Sequence, residues 1–176
     1  MNEDLKSYIR SVKDFPKKGI MFRDITTILK EPEALKMTAQ MLFNLAENLD
    51  VNKVVGIESR GFIFGSILAE RLDVGFVPVR KPGKLPAETV KETYLLEYGE
   101  DTIEIHKDAI KPGDKILLHD DLLATGGTAE AACKLIERLG GRILQVSFIV
   151  ELSFLNGRER LKKYNVQSLV PYNDED

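Results

Sequence analysis

Two adjacent acids followed closely by a glycine-rich turn constrain this chain more than any other feature. The run 115–130 reads Lys-Ile-Leu-Leu-His-Asp-Asp-Leu-Leu-Ala-Thr-Gly-Gly-Thr-Ala-Glu. Ile116, Leu117 and Leu118 make a short apolar strand, with Asp120 and Asp121 at its tip. Ala124, Thr125, Gly126, Gly127 and Thr128 form a small-residue turn, after which Ala132, Leu135, Ile136 and Leu139 recur at the spacing of one helix face. A turn that opens a helix aims free backbone N–H groups and the positive end of the helix dipole at one spot. That spot favours a phosphate. The two acids need another partner, sugar hydroxyls or a metal ion. Phosphate and hydroxyl acceptors side by side suggest a phosphorylated sugar.

The rest of the chain supplies a frame for this stretch. Residues 3–14 carry Leu5, Tyr8, Ile9 and Val12 as a helical stripe that Pro16 ends. The segment 15–28 is apolar without clean periodicity, suited to a surface lid or an extra strand. Pro32 opens a long helix marked by Leu35, Thr38, Leu42, Leu45 and Leu49. Strand 53–57, helix 62–72 and strand 74–79 then give a β-α-β order, which favours a parallel sheet. Residues 80–93 read as a long basic loop, and 93–98 and 102–106 as a hairpin turning at Gly99. Strand 142–150, a short helix 154–164 and strand 166–170 complete the pattern, and the acidic tail 173–176 is expected to fray.

The expected architecture is a single α/β domain over 1–176. It is a doubly wound parallel sheet of about five strands with helices on both faces, an N-terminal hood and an antiparallel hairpin. In such sheets ligands bind at the carboxyl ends of the strands. Residues 58–61, 80–84 and 120–128 all fall there, so three polar segments converge on one edge.

Composition excludes more than it selects. A formal net charge of −3 gives no reason to expect nucleic acid or a membrane surface as partner. No apolar run approaches the ~20 residues of a membrane span, and the N-terminus lacks the apolar core of a signal peptide. The expectation is a cytoplasmic protein. The single cysteine, Cys133, lies on the apolar side of its helix and reads as a buried structural thiol. His106 and His119 show no metal-ligand spacing; alternation turns His119 away from the acids.

Taken alone, Thr125-Gly-Gly-Thr128 is compatible with a plain strand-to-helix connection. A P-loop needs a lysine after its second glycine, where this chain has Thr128 and Ala129. A dinucleotide fingerprint needs spaced glycines, and Gly126 and Gly127 are adjacent. A flavin-phosphate turn stays open but leaves Asp120 and Asp121 unexplained.

The run 116–128 resembles the binding signature for 5-phosphoribosyl 1-pyrophosphate (PRPP) of the type I phosphoribosyltransferases. Other segments agree in order and spacing with the adenine-using branch of that family. They are Phe15-Pro16, Gly19, Phe22-Arg-Asp-Ile25, Glu58-Ser-Arg-Gly-Phe62, Arg80-Lys-Pro-Gly-Lys-Leu-Pro86, Leu96-Glu-Tyr-Gly99 and Val150-Glu-Leu152. The resemblance spans Phe15 to about Arg160; the first signature marks only the superfamily, and the Phe-Arg-Asp-Ile and Arg-Lys-x-Gly-Lys-Leu-Pro segments mark the branch.

It implies conversion of adenine and PRPP to AMP and pyrophosphate in purine salvage, with magnesium as cofactor and a homodimer as assembly. The 5′-phosphate would sit on backbone N–H groups of Ala124, Thr125, Gly126, Gly127 and Thr128, helped by the Thr125 and Thr128 hydroxyls. Asp120 and Asp121 would accept from the ribose hydroxyls and stabilise a cationic anomeric carbon. Pyrophosphate would meet Arg60, Arg80, Lys81 and Lys84, and the backbone of Glu58 and Ser59, whose peptide the resemblance implies is cis in some states. Magnesium would be held mainly by PRPP, with no direct protein ligand. Residues 1–30 become a base-binding hood, with Phe22 stacking on adenine, backbone groups of Met21 and Arg23 reading its edge, and Leu152 covering the other face. Glu97, at the base of a flexible catalytic loop 80–98, is the candidate for proton transfer.

Plain alternatives stand beside each role: core packing for Phe22, surface charge for the cations, a solvated hairpin residue for Glu97. Two competing functions remain. A PRPP-sensing regulator would need a nucleic-acid-binding surface, and a guanine or hypoxanthine enzyme would differ at 21–23.

Overall fold

The computed structural model describes residues 2–95 and 99–175, with side chains from Leu5 onward. The chain opens with α1 (Asn2–Ser7), and β1 (Arg10–Lys13) then pairs antiparallel with β2 (Met21–Asp24). The helical stripe read over 3–14 is therefore cut short. Leu5 and Ile9 are buried, but beyond Ser7 the backbone exchanges helical hydrogen bonds for pairing with β2, so tertiary context overrides local periodicity. The segment 15–28 resolves into β2 and the start of α2 (Thr26–Lys30).

Next comes α3 (Pro32–Asn44), shorter than its apolar spacing suggests. Past Asn44 the chain tightens into three-residue turns, with Ala46 N–H on Phe43 C=O at 2.8 Å and Leu49 N–H on Ala46 C=O at 2.9 Å. Then follow β3 (Lys53–Ile57), α4 (Gly61–Arg71) and β4 (Gly75–Val79). β5 (Thr89–Leu95) and β6 (Glu100–His106) form the hairpin, from Thr89 opposite His106 to Leu95 opposite Glu100. The unpaired loop after β4 thus ends at residue 88, earlier than its basic composition suggests.

β7 (Lys115–Leu123) continues through both acids, because Leu122 and Leu123 still pair with Val150 and Glu151. Then come α5 (Gly127–Arg138), β8 (Arg142–Leu152) and β9 (Val166–Tyr172). Between β8 and β9, two 3₁₀ turns (Ser153–Leu155 and Gly157–Leu161) replace the expected helix, since Asn156 sits at φ +54° between them. The tail is held at least to residue 175, whose carbonyl accepts from Arg23 at 3.0 Å.

The main sheet runs β4-β3-β7-β8-β9, all parallel. Its strands are near-continuous apolar runs because both faces are covered. Alternation sends Val55, Ile116 and Leu118 to a core shared with α5 and the hairpin, while Val54, Leu117 and Ile149 meet the core under α1 to α4. β3, β4 and β7 all end on the same edge, which brings Glu58, Arg80 and Ala124 to one place.

Candidate active site

At that edge lies a cavity of about 460 Å³. Glu58, Ser59 and Arg60 line it from the end of β3, Asp120 and Asp121 from β7, and the turn 124–128 from its floor; Lys81, Tyr94 and Asp101 close it from the loop and hairpin. The turn has the geometry that a backbone cradle requires. Gly126 caps α5 at φ +83°, where a side chain is disfavoured, and no side chain caps the first turn of the helix.

The two acids differ. Asp121 is buried and paired with Arg60, Oδ2 to Nε at 2.6 Å, and its own N–H donates to Asp120 Oδ1 at 2.9 Å. Asp120 keeps some exposure, through the cavity. Burial, and then the neighbouring Asp121 charge, push the Asp120 carboxyl well above the ordinary range. Burial also raises Asp121, against the opposing pull of Arg60. Two crowded carboxylates with little water around them are set to accept hydrogen bonds from hydroxyl donors. Room for Asp120 depends on Gly61, because a Cβ there would stand 2.9 Å from Asp120 Oδ1.

The cations expected for pyrophosphate are engaged with acids. Glu58 binds Arg80 Nε at 3.1 Å and Lys84 Nζ at 2.6 Å, and accepts the Lys81 N–H at 3.0 Å. Burial alone would raise the Glu58 carboxyl, but these donors outweigh it and hold it at about 2. The Lys81 ammonium is paired with Asp101. Arg80 and Lys84 are turned onto Glu58 and do not line the cavity. The Glu58–Ser59 peptide is cis.

The hood residues lie outside the cavity wall. Phe22 packs edge-on against Phe15 at 5.1 Å between centroids, and the Arg60 guanidinium lies 5.2 Å over the Phe22 ring. One guanidinium therefore joins the acid pair to the aromatic hood. Met21, Phe22 and Arg23 pair with Lys13, Val12 and Ser11 along one edge of β2, leaving its other edge without a strand partner among the described residues. The Arg23 side chain is buried on Ser11, the carbonyl of Glu175 and the Tyr172 face, so only its backbone is left for a ligand. Leu152 sits at the end of β8, opposite Tyr172. Glu97 falls outside the described residues.

Three residues of the hairpin belong to the site without any motif to announce them. Thr128 Oγ1 donates to the Tyr94 hydroxyl at 2.9 Å, and that hydroxyl donates to Asp101 at 3.1 Å. Glu104 is buried and accepts from Gly83 N–H at 2.9 Å, with Lys91 at 3.4 Å, so it holds the basic loop against β6. Among the described residues no group of three or more His, Cys, Asp or Glu side chains could hold a metal.

A family model described as the phosphoribosyl transferase domain matches residues 24–174. The adenine phosphoribosyltransferase of Christiangramia forsetii is 58% identical over 169 residues, covering 96% of this chain and 99% of that one. A crystal structure of the adenine phosphoribosyltransferase from Thermoanaerobacter pseudethanolicus superposes with a TM-score of 0.95 at 50% identity, over 98% of this chain and 100% of that one. The Saccharomyces cerevisiae adenine phosphoribosyltransferase, solved with an imino-altritol bisphosphate and adenine, gives 0.88 at 42% identity over 96% and 98% of the two chains. An α/β sheet with a glycine turn and an acid pair at its carboxyl edge, matched by this family model, is that of a phosphoribosyl-transferring enzyme, a pentosyltransferase. The chain belongs to the adenine phosphoribosyltransferase family.

Proposed function

We propose that the chain transfers the phosphoribosyl group of PRPP to adenine, giving AMP and pyrophosphate in purine salvage. The observation that carries this reading is the single cavity shared by the 124–128 turn, the Asp120–Asp121 pair and Arg60, with Arg60 reaching on to Phe22. The turn binds the 5′-phosphate, and the acids take the ribose hydroxyls. Their negative charge stabilises the oxocarbenium-like anomeric carbon as its bond to pyrophosphate breaks. Arg60 and Lys81 meet pyrophosphate from the cavity wall, and Arg80 and Lys84 join once they leave Glu58. Phe22 stacks on the base, backbone groups of Met21 and Arg23 read its edge, Leu152 covers its far side, and Glu97 takes the proton adenine loses.

Magnesium fits this site as a passenger of PRPP. A hard cation that keeps most of its waters would take its other ligands from PRPP oxygens, and the ion would neutralise pyrophosphate charge. The same reading includes a homodimer, for which the exposed Phe15 and Ile20 (51% and 44% accessible) offer apolar surface beside the hood. It also includes the cytoplasm, where a lone buried thiol such as Cys133 stays reduced.

The test is a panel of radiolabelled adenine, hypoxanthine and guanine, each with PRPP and magnesium. Nucleotide formed from adenine alone supports the reading, and product from an oxo-purine in its place overturns the base assignment. Asp120→Asn with Asp121→Asn should abolish AMP synthesis in a folded protein; full activity there would remove the acids from the reaction.

A further inference from the structure

At its glycine end, a phosphate cradle made of backbone N–H groups has no side chain of its own to brace it, whereas Thr128 at the other end is tied to the Tyr94 hydroxyl at 2.9 Å. Gly126 at φ +83° has wide conformational freedom, so whatever packs behind it must fix the shape. Gly157 is buried directly behind. A Cβ on Gly126 would come to 2.6 Å from the Gly157 oxygen, and one on Gly157 would overlap the Ala124 oxygen and stand 3.1 Å from the Gly126 nitrogen. Backbone touches backbone, with no side chain between.

The next residue anchors that contact to the sheet. Arg158 donates from Nε and Nη2 to the two oxygens of Glu151 at 2.7 and 2.8 Å, and from Nη1 to the Val166 carbonyl at 2.9 Å. Its Nη2 also reaches Ser168 Oγ at 3.2 Å, and that hydroxyl donates to Glu151 at 2.5 Å. The Glu151 side chain is only 6% exposed. One guanidinium thus ties the turn between β8 and β9 to both strands in a fork geometry that a lysine cannot reproduce.

We infer that Arg158 is a positioning residue for the 5′-phosphate subsite, holding Gly157 against the outer side of the 124–126 backbone so that the cradle is shaped before its ligand arrives. This rests on the phosphate reading of the 124–128 turn. Arg158 does not line the cavity. Its main effect falls on the half-site that binds ribose phosphate, because Phe22 and Arg60 are held by other elements; of the proposed base contacts only Leu152, beside Glu151 at the end of β8, adjoins the clamp.

The test compares Arg158→Lys and the double variant Arg158→Met with Glu151→Gln. The double variant removes the guanidinium without stranding a buried carboxylate. Lys163→Met, which loses a surface pair with Glu137 at 3.0 Å and a contact with the Tyr164 ring at 4.9 Å, both away from the cradle, is the control. Initial rates give kcat and both KM values, calorimetry gives the affinity for ribose 5-phosphate, and thermal melts check folding. In the double variant, the KM for PRPP and the Kd for ribose 5-phosphate should rise about tenfold, while the KM for adenine stays within about twofold. Arg158→Lys should fall between, and Lys163→Met should match the parent. A purely structural role would lower the melting temperature and leave the split between the two KM values unmoved. Unchanged PRPP and ribose 5-phosphate binding in either folded Arg158 variant overturns the inference alone. If ribose 5-phosphate binding by the parent is absent, or indifferent to Thr125→Ala with Thr128→Val, the phosphate reading fails and the inference with it.

Discussion

Lys84 Nζ lies 2.6 Å from Glu58 Oε1, and Arg80 Nε lies 3.1 Å from the other oxygen of the same carboxylate. Glu58 therefore neutralises two of the cations that the proposed function assigns to pyrophosphate. Pyrophosphate must compete with Glu58 for them. Glu58→Gln keeps an acceptor for the Lys81 N–H and removes the competing charge. Pyrophosphate should then bind about two- to fivefold more tightly, the worth of roughly 0.5–1 kcal/mol for partly exposed pairs. Product inhibition measures it. Because Glu58 is held at about 2, the gain should be constant from pH 5 to 8. Unchanged or weaker inhibition would show that the cations never leave Glu58.

His119 gives the fold an acid-sensitive point that has nothing to do with turnover. It is fully buried with Nδ1 3.0 Å from Ser147 Oγ, and burial lowers its pKa to about 3. The unfolded chain takes up this proton near pH 6.5 and the native chain does not, so stability is full above 6.5 and is lost as pH falls toward 3. At pH 4.5 the loss is on the order of 3 kcal/mol. Denaturant melts of the parent should slope over pH 6.5–4.5, and His119→Asn should flatten that slope whatever its stability at pH 8. Parallel curves for the two proteins would refute the assignment.

Asp120 works in the opposite sense. Burial and the adjacent Asp121 raise its pKa, so the native state holds the proton more tightly than the unfolded chain. The group favours folding below the ordinary carboxylate range, and that advantage is lost as pH rises through the raised value. Asp120→Asn cannot ionise and still accepts the Asp121 N–H. It should melt higher than the parent at pH 7.5, by about 2–4 °C for each kcal/mol relieved, with the difference shrinking at pH 4. Activity should collapse in the same variant, a stability–function trade-off. A lower melting point at pH 7.5 would show that the carboxylate is better accommodated than its burial implies.

Elements with one dominant period are legible in the sequence. The strand Lys53–Ile57 appears with the bounds its apolar run suggests, and α5 begins at the turn that its glycines mark. Legibility fails where pairing partners decide. Residues 89–92, Thr-Val-Lys-Glu, read as the end of the basic loop, but Ile103 and Ile105 of β6 are buried and bring the start of β5 into register beside them. The site divides in the same way. Asp120, Asp121 and the turn are neighbours in sequence, so their chemistry can be read from a single run. Tyr94 on Thr128, Asp101 on Lys81 and Gly157 behind Gly126 are joined only by folding across 20 to 34 residues. No local pattern encodes such contacts. Phe22 is intermediate: the aromatic is visible in the sequence, while its link to the acid pair through Arg60 is not.

Two glycines separate conformational strain from close packing. Gly113 sits at φ +88° in the turn before β7, and a Cβ added there would have nothing within 4 Å, whereas a Cβ on Gly126 at φ +83° would meet the Gly157 oxygen at 2.6 Å. Gly113→Ala should cost only the left-handed backbone, about 1–2 kcal/mol, with both KM values unchanged. Gly126→Ala should cost about 2–5 kcal/mol from backbone and overlap together, because the Gly157 backbone has nowhere to move while Arg158 holds it. The overlap must also displace the cradle, so the KM for PRPP should rise about tenfold or more in whatever protein remains folded. Melts and initial rates on the pair of variants distinguish the two effects. Equal losses of stability with equal KM values would mean that the phosphate turn yields freely and that Gly157 does not brace it.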